Sequence, residues 1–192
     1  MGKIFSETKT NSAIPAKDAE LDELYHFVGH RSDTETKENV YVITIVSREP
    51  RQFLGLVASK DKSPETIEKL VQSSPHAENY FSDGFQGYKN VDYPGYYKQN
   101  SENKNDTYTV EGSNADLRHY IPTLARRSRC FPRKIENLNA TLKLFAYAYN
   151  LFGQWKLKYC RIPVKHKKLY TNKKLRKFRY PNRSLVDFLF VH

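Results

Sequence analysis

Hydrophobic and polar positions lay out most of the chain's elements. From Ala19 to Gly29 the pattern is strand-like, with Leu24, Tyr25, Phe27 and Val28. Val40–Val46 (Val-Tyr-Val-Ile-Thr-Ile-Val) is a β-branched run of strand length, and Phe53–Ala58 is another. The charged segment Arg31–Asn39 reads as a hairpin loop, so three strands form a meander. Ser63-Pro64-Glu65 then opens a helix, with a hydroxyl N-cap, proline at the first position and an acid in the first turn. Ile67, Leu70 and Val71 give that helix an apolar face. Glu78–Ser82 is a short strand ending at Asp83-Gly84, after which the pattern fits a helical turn at Gly87–Asn90 and a short strand at Tyr96–Gln99.

A helix is expected to begin near Glu111–Asn114, with Leu117, Ile121 and Leu124 on one face and an interruption at Pro122. The strongest helical pattern runs from Lys134 to about Phe152, with Ile135, Leu138, Leu142, Phe145 and Tyr149 at helical spacing. Gly153 is its expected stop and Trp155 a packing residue at its end. Residues 1–18 are polar and aperiodic and read as a leader, 19–155 as the folded domain, and 156–192 as a basic tail. Between Lys156 and Arg183 there are twelve Lys or Arg and no Asp or Glu, and Ser184–Val191 turns apolar again.

Charge sharpens the picture. A formal net charge of +11 over 192 residues favours a polyanionic partner, because each neutralised phosphate releases counterions. No run of about 18 apolar residues occurs, which excludes a membrane-spanning helix. Met-Gly-Lys-Ile-Phe-Ser lacks the apolar core of a secretory signal. Cys130 and Cys160 stand alone, forming neither a metal pair nor a disulfide framework. These features imply a cytoplasmic, nucleoid-associated protein.

Within this basic chain three carboxylates occupy distinctive contexts: Asp22 in Ala-Glu-Leu-Asp-Glu-Leu, Asp83 in Tyr-Phe-Ser-Asp-Gly-Phe, and Glu111 in Tyr-Thr-Val-Glu-Gly-Ser-Asn. Each has a plain explanation alone: a solvated charge, a Ser-Asp-Gly turn, an acid complementing a helix dipole. Their order says more. A strand with Asp, two more strands, a helix, a strand ending in Asp, then a helix with Glu is the layout of ribonuclease-H-like nucleic-acid enzymes. That predicts an α/β fold, a mixed five-stranded sheet flanked by helices, with a basic C-terminal tail.

The local motifs narrow this. Glu20-Leu21-Asp22-Glu23 followed by Phe27-Val28-Gly29, Asp83-Gly84-Phe85 with Tyr88, and Glu111-x-x-Asn114-x-x-Leu117-Arg118 followed by Arg126-Arg127-Ser128 occur in this order. Over roughly residues 19–152 the chain resembles the catalytic domain of DDE transposases of bacterial insertion sequences, the group typified by insertion sequence 1. The resemblance implies that Asp22, Asp83 and Glu111 hold two Mg²⁺ (or Mn²⁺) ions for DNA cleavage and strand transfer. It implies double-stranded DNA, element ends and target, as the partner, with a homodimer on DNA and no membrane.

Candidate DNA contacts are Asn114 and Arg118, which share a helix face with Glu111, and Arg126, Arg127 and Arg129. Lys165, Lys167, Lys168, Lys173, Lys174, Arg176, Lys177 and Arg179, interleaved with Tyr170, Phe178 and Tyr180, form a candidate electrostatic arm. The chain departs from the family's pattern at Gly112, where a basic residue is usual, and at Pro122. The family's amino-terminal zinc-binding and helix-turn-helix segment has no counterpart, and no Cys-x-x-Cys precedes Asp22. A separately encoded catalytic half, with an end-recognition polypeptide supplied in trans, or a truncated copy is therefore expected. The rival readings are a metal-dependent nuclease or resolvase of the same fold, and a non-catalytic DNA-binding remnant.

Overall fold

In the computed structural model, the described residues are 16–29, 38–99, 107–125 and 132–159, with side chains described as far as 151. Five strands and three helices succeed one another in the order β1 (Ala16–Val28), β2 (Glu38–Ser47), β3 (Gln52–Ser59), α1 (Pro64–Ser73), β4 (Ala77–Ser82), β5 (Tyr96–Gln99), α2 (Tyr108–Tyr120) and α3 (Ile135–Tyr159). Short 3-10 turns at Gln86–Asn90 and Pro122–Leu124 complete the described chain. The strands form one sheet in the order β3-β2-β1-β4-β5. β1 pairs antiparallel with β2 and β2 with β3, whereas β1–β4 and β4–β5 are parallel. The expected α/β architecture, a mixed five-stranded sheet flanked by helices, is what the chain adopts.

Helices on both faces explain the continuous apolar run in β2. Val40, Val42 and Val46 pack with Leu24, Val28, α2 and α3 on one side, while Ile43 and Ile45 pack with Ala19, Leu21, Ile67, Val71 and Tyr80 on the other. α1 starts as its sequence predicts: Ser63 Oγ accepts from Thr66 N. Asp61 reinforces this start by accepting from Thr66 Oγ1 (2.7 Å), Ser63 Oγ (2.8 Å) and Ser63 N (3.1 Å). Those bonds favour the ionised form and hold the Asp61 carboxyl down at about 2.

Three boundaries differ most from the pattern-based expectation. β1 begins at Ala16, not Ala19, because parallel pairing with β4 (Ala16 with Ala77, Asp18 with Asn79) continues into the polar stretch. α2 begins at Tyr108, three residues before Glu111, because a carboxylate of β1 caps its first turn. α3 continues through Gly153 to Tyr159. A glycine ends a helix when its backbone turns left-handed, and the sole positive-φ glycine among the described residues is Gly29. The tail from residue 160, including its apolar last segment, lies outside the described residues.

α3 also closes the sheet edge at β3. The Asn139 side chain accepts from Ala58 N (2.7 Å) and donates to Ala58 O (2.9 Å). Asn150 does the same to Phe53 N (2.8 Å) and O (2.9 Å). Eleven helical residues rise about 16.5 Å, and five strand residues span about 16.5 Å, so both amides meet the strand in register. Each stands in for a neighbouring strand at an edge that otherwise exposes backbone donors and acceptors. Replacing Asn150 with Leu leaves the Phe53 amide and carbonyl buried and unpaired. We expect a loss of about 2–3 kcal/mol, read as a lower urea midpoint.

Candidate active site

In the parallel pairing of β1 with β4, Leu21 lies opposite Ser82, the last residue of β4, and Asp22 and Asp83 are the residues that follow them. The two carboxylates are near enough for the Asp83 charge to act on Asp22. Alternation along β1 places Asp22 on the same face as Leu24, the face covered by α2, while Leu21 faces α1.

α2 runs alongside β1 and is tied to it twice. Glu20 Oε2 accepts from Val110 N in the helix's first turn (2.7 Å), and Asp22 Oδ2 accepts from Asn114 Nδ2 (2.7 Å). One helical turn from 110 to 114 rises about 6 Å, and two strand residues from 20 to 22 span about 6.6 Å, so the spacings match. Thr107, at the N-cap position, makes no side-chain cap bond. Glu20, remote in sequence, fills that role, which is why local pattern does not mark where α2 begins.

Glu20 is 1% exposed and its other oxygen accepts from Arg48 Nε (2.7 Å), whose guanidinium lies 4.1 Å from the Phe81 ring centroid. Asn114 is oriented from behind: Thr44 Oγ1 donates to its Oδ1 (3.0 Å), which leaves its NH₂ directed at Asp22.

Burial pushes the Asp22 carboxyl up from 3.8 to about 6. The hydrogen bonds from Asn114 and from Glu23 N (2.8 Å) oppose that rise, and the charges of Glu23 and Asp83 add to it. Asp83 is held at the turn after β4, where its Oδ1 accepts from Phe85 N (3.0 Å). A carboxylate whose ionised form is disfavoured, placed beside a second carboxylate, suits a hard divalent cation, which supplies the missing compensation.

The third carboxylate stands apart. Glu111 is exposed in the first turn of α2, one turn before Asn114 on the same helix stripe. Among the described residues no three His, Cys, Asp or Glu side chains come together as a metal-holding group.

Asn114, expected at a DNA surface, is instead 5% exposed, and both ends of its amide are used inside the site. Arg118 is half-buried on α2. Arg126, Arg127, Arg129 and the eight tail residues from Lys165 to Arg179 lie outside the described residues.

Over Gly112, where the resemblance leads one to expect a basic side chain, lies the Arg51 guanidinium from the β2–β3 turn. A Cβ at Gly112 would sit 3.1 Å from its Nη2, and Arg51 bonds Ser113 Oγ (3.0 Å) and Asp116 Oδ2 (3.2 Å). Sequence pattern misses Glu20, Thr44 and Arg51, whose partners are dozens of positions away; the buried-strand placement of Glu20 and Thr44 is the only local hint. Among the described residues no helix is long and apolar enough to cross a membrane.

Compared with known proteins, the chain matches no protein-family model and no curated protein.

Proposed function

We propose that this chain is the catalytic domain of a DDE-type transposase with a ribonuclease-H-like fold, cleaving DNA and transferring strands in the presence of Mg²⁺ or Mn²⁺. The observation that carries the reading is the placement of Asp22 and Asp83 just past the last β1–β4 pair, Leu21 with Ser82, near enough for the Asp83 charge to act on Asp22, with a carboxylate-bearing helix anchored to Asp22. The net charge of +11 supports a DNA partner. Order of elements and the three local motifs supply the rest.

Divalent ions at such a site supply an activated water and stabilise the leaving oxygen in in-line phosphoryl transfer. Asp22 and Asp83 would hold them, and Glu111, exposed in the first turn of α2, would complete the donor set when cation and DNA arrive. Asn114 keeps the Asp22 carboxylate aimed by bonding one oxygen while Glu23 N bonds the other. Water breaks the phosphodiester bond at the element end and leaves a 3′-hydroxyl. That hydroxyl then attacks a target phosphodiester, forming one P–O bond and breaking another, with no protein–DNA covalent link. A homodimer on DNA, with end recognition by a separate polypeptide, completes the proposal.

Incubation with supercoiled plasmid tests it. Metal-dependent nicking and joining, both absent in Asp83→Asn, is the expected result. Nicking without joining points to a nuclease or resolvase of the same fold. Salt-sensitive DNA binding with no metal-dependent product points to a non-catalytic remnant.

A further inference from the structure

On the face of β1 opposite Asp22, Glu23 is the centre of a polar cluster that the proposed chemistry does not use. Its Oε2 accepts from Tyr88 Oη (2.7 Å), and its Oε1 accepts from Lys62 Nζ (2.6 Å). Tyr88 is fully buried, and the Glu23 side chain is 13% exposed. Lys62 Nζ lies 3.9 Å from the Phe85 ring centroid and 5.4 Å from that of Tyr41. Phe85 and Tyr88 meet edge to face at 5.6 Å.

Both Phe85 and Tyr88 belong to the turn that carries Asp83. Phe85 N donates to the Asp83 carboxylate, and Gln99 Nε2 donates to Asp83 O and Phe85 O (3.0 Å each). On the other side, the backbone N–H of Glu23 holds the Asp22 carboxylate. One residue therefore fixes Asp22 through its backbone and the Asp83 turn through its side chain.

We propose that Glu23, Tyr88 and Lys62 form a clamp through the sheet that sets the position of Asp83 relative to Asp22 and so pre-shapes the cation site. This rests on the reading of Asp22 and Asp83 as metal ligands. The three are positioning residues: Glu23 and Tyr88 lie on the Leu21 side of the sheet, opposite Asp22, and Lys62 reaches Glu23 there. The physical basis is over-determination. β4 ends at Ser82, so Asp83 lies beyond the sheet's hydrogen-bond ladder, and its turn needs other anchors. The charge-assisted bond from Tyr88 to Glu23 and the Lys62 cation above Phe85 provide them from β1 and from the segment before α1.

The test is Mn²⁺ titration calorimetry on the full chain, with thermal melts of each variant in EDTA. Tyr88→Phe keeps the ring in the core and removes the clamp's hydroxyl. Lys62→Met, at a partly exposed position, keeps the stem and removes the cation. Outer-shell partners of metal ligands typically affect affinity about 10–100-fold. We expect each variant to bind Mn²⁺ about tenfold more weakly than wild type, and Asp83→Asn to lose binding.

Melting temperatures that fall while Mn²⁺ affinity stays at the wild-type value would overturn the clamp, assign the cluster to stability alone, and leave the catalytic reading standing. Wild-type protein whose Mn²⁺ binding does not depend on Asp83 would overturn that reading and the clamp with it.

Discussion

Asp22→Asn is expected to stabilise the metal-free protein while removing the proposed DNA cleavage. Burial and two neighbouring carboxylates raise the Asp22 carboxyl from 3.8 to about 6. A folded-state value above the unfolded one means the relative stabilisation is fully present below about pH 3.8 and is lost as pH rises through about 6. At neutral pH the ionised carboxylate is thus a liability of at most about 3 kcal/mol.

Glu23 N and Asn114 Nδ2 address different carboxylate oxygens, one of which becomes an NH₂ donor in the variant, so one bond is lost, which returns about 1 kcal/mol or somewhat more. The net gain is about 1–2 kcal/mol, or roughly 2–8 °C in melting temperature for a chain of this size. Calorimetric scans in EDTA between pH 4 and 8 should show wild-type stability falling across pH 4–6 and a flatter profile in the variant. Plasmid nicking should drop at least about a thousandfold, the scale of the several kcal/mol a positioned divalent ion contributes. A variant that melts below wild type at pH 7 in EDTA contradicts the electrostatic account.

Glu20→Ala should be the most destabilising single change at the site. The side chain is buried, pairs with Arg48 and supplies the acceptor for α2's first turn. Removing one member of a buried pair typically costs about 3–5 kcal/mol, and here the Val110 amide is orphaned too. Because the Arg48 side chain retains 27% exposure and can recruit water, the lower end, about 3 kcal/mol, is expected. Against a usual total of about 5–15 kcal/mol this is a large fraction. Urea unfolding measures it directly. Glu20→Gln keeps an acceptor for Val110 N and should recover part of the loss. A cost below about 1 kcal/mol for Glu20→Ala rules out the tertiary cap.

The strands are legible in the sequence because burial on two faces writes β-branched runs such as Val40–Val46, and α1 because its cap is local. Asp22 and Asp83 stand out by the order of elements around them, and β1–β4 pairing sets the residues just before them, Leu21 and Ser82, opposite each other. The features that pattern misses share one physical cause. The start of α2 depends on Glu20, 90 positions before Val110; the aim of Asp22 depends on Asn114, 92 positions later; and the edge of β3 depends on Asn150, 97 positions after Phe53. A polar side chain that bonds across the fold leaves no periodic trace. Asn114 is the clearest case: its place on the Glu111 stripe suggests a DNA contact, whereas its amide faces inward to Asp22. Glycine at 153 misleads for the opposite reason, since a helix continues through glycine when its backbone stays helical.

Whether Asp22 and Asp83 form a divalent-cation site is read out by anomalous diffraction from crystals of the full chain soaked in MnCl₂. The expected result is a manganese peak between the two carboxylates, lost in Asp83→Asn, with Glu111 drawn toward it from solvent. Density without manganese at that position, or manganese bound only elsewhere on the molecule, would contradict it.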